Sequence, residues 1–252
     1  MLTCGGRKAL LAALVLGLGG CDSPPKKNPF DPSPTETKTP PPTTAAPKPS
    51  GQPHLTIDTI GAKIGFARVV LGKPESKGQL SQEIAAIKEF VEGKQATLAV
   101  DRKAKLDWVM LMFDELEKAS ATSINVKTET RKEYPPELVF TPQSKVSAPA
   151  PCSVVAMVMD DYATAVWKLQ GGTAGKRSKG FAGPDLTMTL DTVQRMAKAC
   201  SSSSTVFVSA GEAIEWGLAY DLAASTRTMS GSRFETIVLL KQRPTPGHKV
   251  DL

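Results

Sequence analysis

The feature that most constrains this chain is that its second half repeats its first. Leu80-Ser81, Ile84, Ile87 and Phe90 recur as Leu186-Thr187, Leu190, Val193 and Met196 at one constant offset. Val100 and Leu106-Asp107-Trp108 recur as Val208 and Ile214-Glu215-Trp216 at a slightly longer one. The difference falls in the loop holding Ser201 to Ser204, where a longer loop adds little closure entropy. Apolar spacing alone is common to all amphipathic helices. An acidic residue followed by Trp, at the same place after the same apolar strand, is the more specific match. Whatever fold the chain adopts must therefore satisfy one pattern of elements twice.

That pattern can be read from periodicity. LTIDTIGAKIGFARVVL is β-rich, with bends expected at Gly61 and Gly65. LSQEIAAIKEFVEG places Leu80, Ile84, Ile87 and Val91 at helical spacing, with Gly93 as its C-terminal stop. ATLAV (96–100) reads as a strand. LDWVMLMFDELEKA (106–119) carries Leu106, Val109, Met110, Phe113 and Leu116 along one stripe, and SINVKTE (123–129) closes the unit. After a Pro- and Ser-containing stretch the order returns: SVVAMVMDDYATAVWKL, the helix LTMTLDTVQRMAKA, the strand TVFVS, the helix IEWGLAYDLAAS and the strand ETIVLLKQ. The expected class is α+β: two tandem small domains (55–134 and 152–243), joined by a linker (135–151) and followed by a tail (244–252). Each is a mixed β-sheet with two helices packed on one face.

The N-terminal region has a different character. Arg7 and Lys8 precede an uncharged apolar run from Ala9 to Gly20, too short for the ~20 residues that span a bilayer but suited to a signal-peptide core. It ends in Leu18-Gly19-Gly20-Cys21, which resembles the lipobox of bacterial lipoproteins. The expectation is a signal peptide over 1–20, lipidation of Cys21 and anchoring by two or three acyl chains. Residues 21–54 hold more than half of the chain's 20 prolines and few core-forming side chains. They read as a disordered tether, with a fully extended reach on the order of 100 Å. Location in the cell envelope, facing the periplasm, follows; Asp22 after the lipidated cysteine resembles an inner-membrane retention signal.

Export gives meaning to the cysteines. With Cys4 in the signal and Cys21 lipidated, Cys152 and Cys200 are left to form one disulfide in an oxidising compartment. The net charge of +6 is spread along the chain without a nucleic-acid motif, so no nucleic acid is expected as a partner. An anionic membrane surface or wall polymer suits the charge better.

The run TLAVDRKAKLDWVMLMFDELEKASATSINVKTE resembles the periplasmic half of biopolymer-transport proteins of the ExbD/TolR family. There an apolar strand, an Ala/Val-Asp pair, a short loop, an apolar-polar-aromatic helix start, an amphipathic helix and a final strand follow one another. Asp101 and Arg102 stand at the acidic and following positions, Leu106 and Trp108 at the helix start. The second copy departs, with Ser209 in place of the acid, but keeps Ile214 and Trp216. The resemblance implies a lipid-anchored relative or accessory of energy-transducing transport machinery, acting by protein–protein contact. Its implied partners are envelope proteins such as an ExbB/TolQ-type channel, a second copy of the chain, or one repeat pairing with the other. The family's membrane helix with its single aspartate has no counterpart in residues 9–20, so proton conduction by this chain is not implied. A peptidoglycan- or other ligand-binding lipoprotein unrelated to a motor is the alternative.

No enzyme, cofactor or metal is expected. The two histidines, His54 and His248, fall in the tether and the tail, leaving no Ser-His-acid or Cys-His set within a repeat. Metal-ligand spacing of Cys and His is absent. GGTAGKRSKG (171–180) fails as a phosphate loop, because Gln170 stands where its first glycine is needed and Arg177 where Ser or Thr is needed. It reads as an exposed basic hairpin loop whose Lys176, Arg177 and Lys179 are candidates for contact with an anionic polymer. Asp160-Asp161 reads as a turn signal, Asp101 as a local backbone cap, and Trp108 and Trp216 as structural anchors.

Overall fold

A three-strand meander opens the first half: β1 (Leu55–Ile57), β2 (Gly61–Ile64) and β3 (Ala67–Val70). The computed structural model describes residues 51–146, 149, 152–181, 183–198, 204–228 and 234–252. The expected signal peptide, Cys21, most of the tether and Cys200 lie outside them. After the meander come α1 (Ser76–Ala86), the single turn α2 (Lys88–Val91), β4 (Gln95–Val100), α3 (Leu106–Lys118), β5 (Ser123–Lys127) and β6 (Glu137–Phe140). Leu80, Ile84 and Val91 bury the apolar face of the first helical stretch. Gly93 ends it at φ 68°, a left-handed position that glycine adopts without steric cost.

The second half comprises β7 (Val154–Val158), β8 (Thr164–Lys168), β9 (Gly175–Arg177), the short hairpin β10 (Lys179–Gly180) and β11 (Gly183–Pro184), α4 (Leu186–Ala197), β12 (Ser204–Ala210), α5 (Trp216–Thr228) and β13 (Phe234–Leu239). Asp185 caps α4 by accepting from the Met188 N–H at 3.0 Å.

The two main sheets share one topology. The first runs β3-β2-β1-β4-β5-β6 and the second, read from its other edge, β9-β8-β7-β12-β13. In each, the leading strands are antiparallel, and the two central junctions (β1 with β4 and β4 with β5; β7 with β12 and β12 with β13) are parallel. The helices α4 and α5 cover one face of the second sheet, and α1 and α3 bury their apolar stripes in the first half. One hydrophobic core runs through both halves without interruption, from Leu80, Leu98 and Phe113 to Val158, Trp216 and Leu239. Ser50–Leu252 is accordingly a single compact unit.

Two boundaries differ from expectation. The linker over 135–151 is shorter than its sequence suggests, because Glu137–Phe140 forms β6 and pairs with β5 from Ile124↔Phe140 to Lys127↔Glu137. Pro135 and Pro136 precede the strand rather than interrupt it, so no ladder donor is lost. The basic segment 171–180 is not simply a loop either: β9 lies within it and pairs with β8, Thr164 opposite Arg177.

The tail also has a structural part. The Trp167 indole N–H donates to the His248 carbonyl at 2.9 Å, and the Val250 N–H to the Leu169 carbonyl at 3.0 Å. Val250 thereby packs over Val155, Met157, Trp167, Phe207 and Val238, on the face of the second sheet away from the helices.

Cys152 is disulfide-bonded. Two residues on, Val154 pairs with Val206, close in the chain to Cys200. Non-reducing peptide mapping is expected to join Cys152 to Cys200. Reduction should cost about 4 kcal/mol, the closure entropy of a loop of about fifty residues. Recovery of Cys152 joined to any other cysteine would refute the pairing.

Candidate functional site

Three regions merit consideration: the seam between the halves, the uncovered face of the first sheet, and the basic segment after β8.

The seam forms where each repeat passes from its central strand into its second helix. Lys105 bridges Glu215, the Trp216 N–H donates to the Ala104 carbonyl at 2.9 Å, and the Gly217 N–H to the Arg102 carbonyl at 2.8 Å. Trp216, the first residue of α5, is fully buried against the other half. Its ring centroid lies 6.5 Å from Phe113 and 5.9 Å from Phe140, both of the first half, and 5.7 Å from Tyr220. Its indole N–H reaches the Thr128 hydroxyl at 2.8 Å, which satisfies the one polar atom the ring carries inward. Tyr220 donates to the Pro135 carbonyl at 3.0 Å, and burial pushes its phenol up, so it remains a donor throughout the physiological range.

Beside this cluster, Arg102 grips Asp221 through two bonds of 2.9 and 2.7 Å. Asp221 is only 1% exposed. The paired carboxylate raises the Arg102 guanidinium above its ordinary range, against the opposing effect of burial. Arg102 also donates to the carbonyls of Glu129 and Gly217. Gly217 fits closely here: a Cβ at that position would lie 3.0 Å from the Arg102 side chain, which would have to give by a few tenths of an ångström. Further out, Lys241 meets Glu117 at 2.9 Å, and Arg243 pairs with Asp107.

The uncovered face belongs to the first sheet. The register aligns Arg68, Lys63, Thr56, Ala99, Lys127 and Glu137 in one row across all six strands. Thr97, Asn125 and Val139 form the next row over β4 to β6. Two depressions of about 500 and 350 Å³ lie here, the smaller also lined by Gln52, Pro53 and His54, where the described chain begins. Lys127 and Glu137 pair at 2.9 Å, which holds the Glu137 carboxyl below its usual range. On the second sheet the matching row is Trp167, Val155, Phe207 and Val238, apolar and packed against by Val146, Met159, Ala174 and, from the tail, Val250.

The remaining residues singled out in the sequence are dispersed. Asp101 accepts from the Lys103 N–H at 2.8 Å, the local cap expected of it. Asp161 caps the β7–β8 turn through the Ala163 N–H, whereas Asp160 reaches the Ala213 N–H 2.9 Å away, ahead of α5. Trp108 is partly buried, with the Lys105 ammonium 5.4 Å from its ring. Lys176 and Lys179 are exposed and Arg177 is half-buried. Among the described residues no group of His, Cys, Asp and Glu could hold a metal ion, and no helix is long and apolar enough to cross a membrane. No family model, curated protein or solved structure matches the chain.

Sequence reasoning missed the Arg102–Asp221 pair. An aspartate at the centre of the apolar run GLAYDLAAS was its one visible signal. Arg102→Ala would leave the buried Asp221 with only the Arg131 guanidinium, 3.8 Å away, at a cost of about 3 kcal/mol in chemical denaturation. Arg102→Met combined with Asp221→Leu should recover most of that loss, since an apolar pair needs no compensating charge. Equal losses for the single and double variants would show that the pair is not what holds the seam.

Proposed function

We propose that this chain is a non-enzymatic module of the cell envelope, held to a membrane by lipid on Cys21 and carried outward by the tether of residues 22–54. It works through protein–protein contact, as a relative or accessory of ExbD/TolR-type energy-transducing machinery, without conducting protons itself. The observation that carries this reading is the unequal treatment of two sheets of the same topology. The second has its outer face covered by its own chain: Val146 from the segment before β7, Ala174 before β9, and Val250 of the C-terminal tail. Among the described residues, the first leaves its outer face open and mixed in polarity, with two shallow depressions beside the point where residues 52–54 bring the chain in. Such a surface suits a partner that pairs side chains across rows rather than a small molecule sunk in a deep pocket. The resemblance of residues 97–129 to the family's periplasmic half supplies the class of partner.

Affinity capture of the lipidated chain from crosslinked envelopes tests this. Enrichment of an ExbB/TolQ-type channel protein or its associates is expected. Val139→Asp, which places a charge on the open face at a position 42% exposed, should lower that recovery about ten-fold while leaving thermal stability within about 0.5 kcal/mol. Recovery of wall fragments alone, unchanged by Val139→Asp, would replace this reading with a peptidoglycan-binding lipoprotein.

A further inference from the structure

Phe181 occupies the turn of the β10–β11 hairpin, and its relative exposure of 111% is the highest of any large apolar side chain among the described residues. Water penalises an apolar ring held in that position, and no packing within the described fold offsets the penalty. The surrounding sequence is as informative as the ring. From Gly171 to Pro184 the chain carries Lys176, Arg177 and Lys179 and no carboxylate. Among the described residues none of these cations enters an ion pair. The Arg177 guanidinium instead donates to the Lys176 carbonyl.

Phe66, between β2 and β3, provides an internal contrast. It is 97% exposed and stands between Lys63 and Arg68. There, however, Arg68 Nη2 donates to both carboxylate oxygens of Asp58, at 2.8 and 2.6 Å, which cancels its charge and leaves Lys63 as the one unpaired cation of the two. Among the described residues, the stretch from β9 through the β10–β11 hairpin places three cations outside any ion pair near its projecting ring, against the single Lys63 near Phe66.

We infer that this hairpin is a membrane-contact element: Phe181 enters the boundary between headgroups and acyl chains of an anionic bilayer, while the exposed Lys176 and Lys179 meet the lipid phosphates. A protein groove would be expected to cover neighbouring apolar side chains as well as the tip. A single ring with cations close by in the chain instead matches the layered chemistry of a bilayer surface, apolar beneath and anionic above. The contact needs no acyl chain. Its consequence in the cell rests on the lipid-anchor reading: a domain on a long tether would alternate between reaching outward and lying down on the membrane.

The test uses the chain from residue 22 onward, which keeps the whole of Ser50–Leu252 and carries no acyl group. It is sedimented with vesicles of phosphatidylcholine, with and without phosphatidylglycerol. Binding is expected only where phosphatidylglycerol is present. Phe181→Ser should weaken it about ten-fold. Lys176→Glu with Lys179→Glu should weaken it at least as much. Phe66→Ser should leave it unchanged, and circular dichroism should be the same for all variants. Absence of binding to anionic vesicles, or equal weakening by Phe66→Ser and Phe181→Ser, would overturn the inference. So would binding to purified anionic wall polymer that needs the lysines but not Phe181, together with vesicle binding indifferent to Phe181. A failure of Cys21 acylation in cells would leave the vesicle result untouched, so the two readings fail separately.

Discussion

Trp216 places a full indole from the second half among side chains of the first, and the surrounding structure is arranged to accept it. Phe113 and Phe140 meet edge to face at 5.5 Å and present a wall to its ring, and Thr128 receives its N–H. Aromatic contacts of this kind contribute about 1 kcal/mol each beyond the area they bury. The same ring fixes direction. With the indole seated, α5 begins where Gly217 must pass Arg102, and Asp221 comes around one turn later to be gripped. Two repeats that each resemble a small domain thereby become one body with one core. The repeats thus pair with each other within the chain, through segments that follow the central strand in both.

A shared topology did not lead to a shared surface, and the reason lies in alternation along the strands. In β4 and β5, every second residue is small or polar (Thr97, Ala99, Asn125, Lys127), as expected where one face meets water. In β7, β8, β12 and β13 the runs VVAMV, AVW, VFV and IVLL have no such interruption, so both faces demand cover. Helices supply it on one side. On the other the chain supplies it from its own connecting segments and its end, through Val146, Ala174, Val250 and the carbonyl of His248. The first sheet remains available for contact because its alternation was kept.

Much of this was legible in advance. The helix over 106–119, the stop at Gly93, the strands around 96–100 and 204–210 and the α+β class all follow from short-range periodicity; the helix expected over 80–91 starts earlier, at Ser76, and breaks at Ile87 into α1 and α2. The second helix of each half was also placed by the recurring acidic-Trp pair. Features that depend on partners far along the chain were not legible. β6 hides behind Pro135-Pro136, which read as punctuation because proline cannot donate to a ladder, yet they sit just ahead of the strand. The tail around His248 looks solvent-exposed by composition, and its role exists only because Trp167 needs an acceptor. Arg102 and Asp221 are separated by nearly half the chain, and nothing local to either names the other. The continuous apolar runs of the second half did carry a signal of two-sided burial. They could not reveal what the second cover would be.

The central claim is that the two repeats form one cooperative unit through the Trp216 seam. Native-state hydrogen exchange at increasing denaturant tests it most directly, by comparing the slowest amides of β4 with those of β12. Both sets are expected to converge on the same opening free energy and the same dependence on denaturant. If β12 remained protected while β4 exchanged through a separate, smaller opening, or the reverse, the halves would be independent domains in contact, and the seam would not be what holds the fold together.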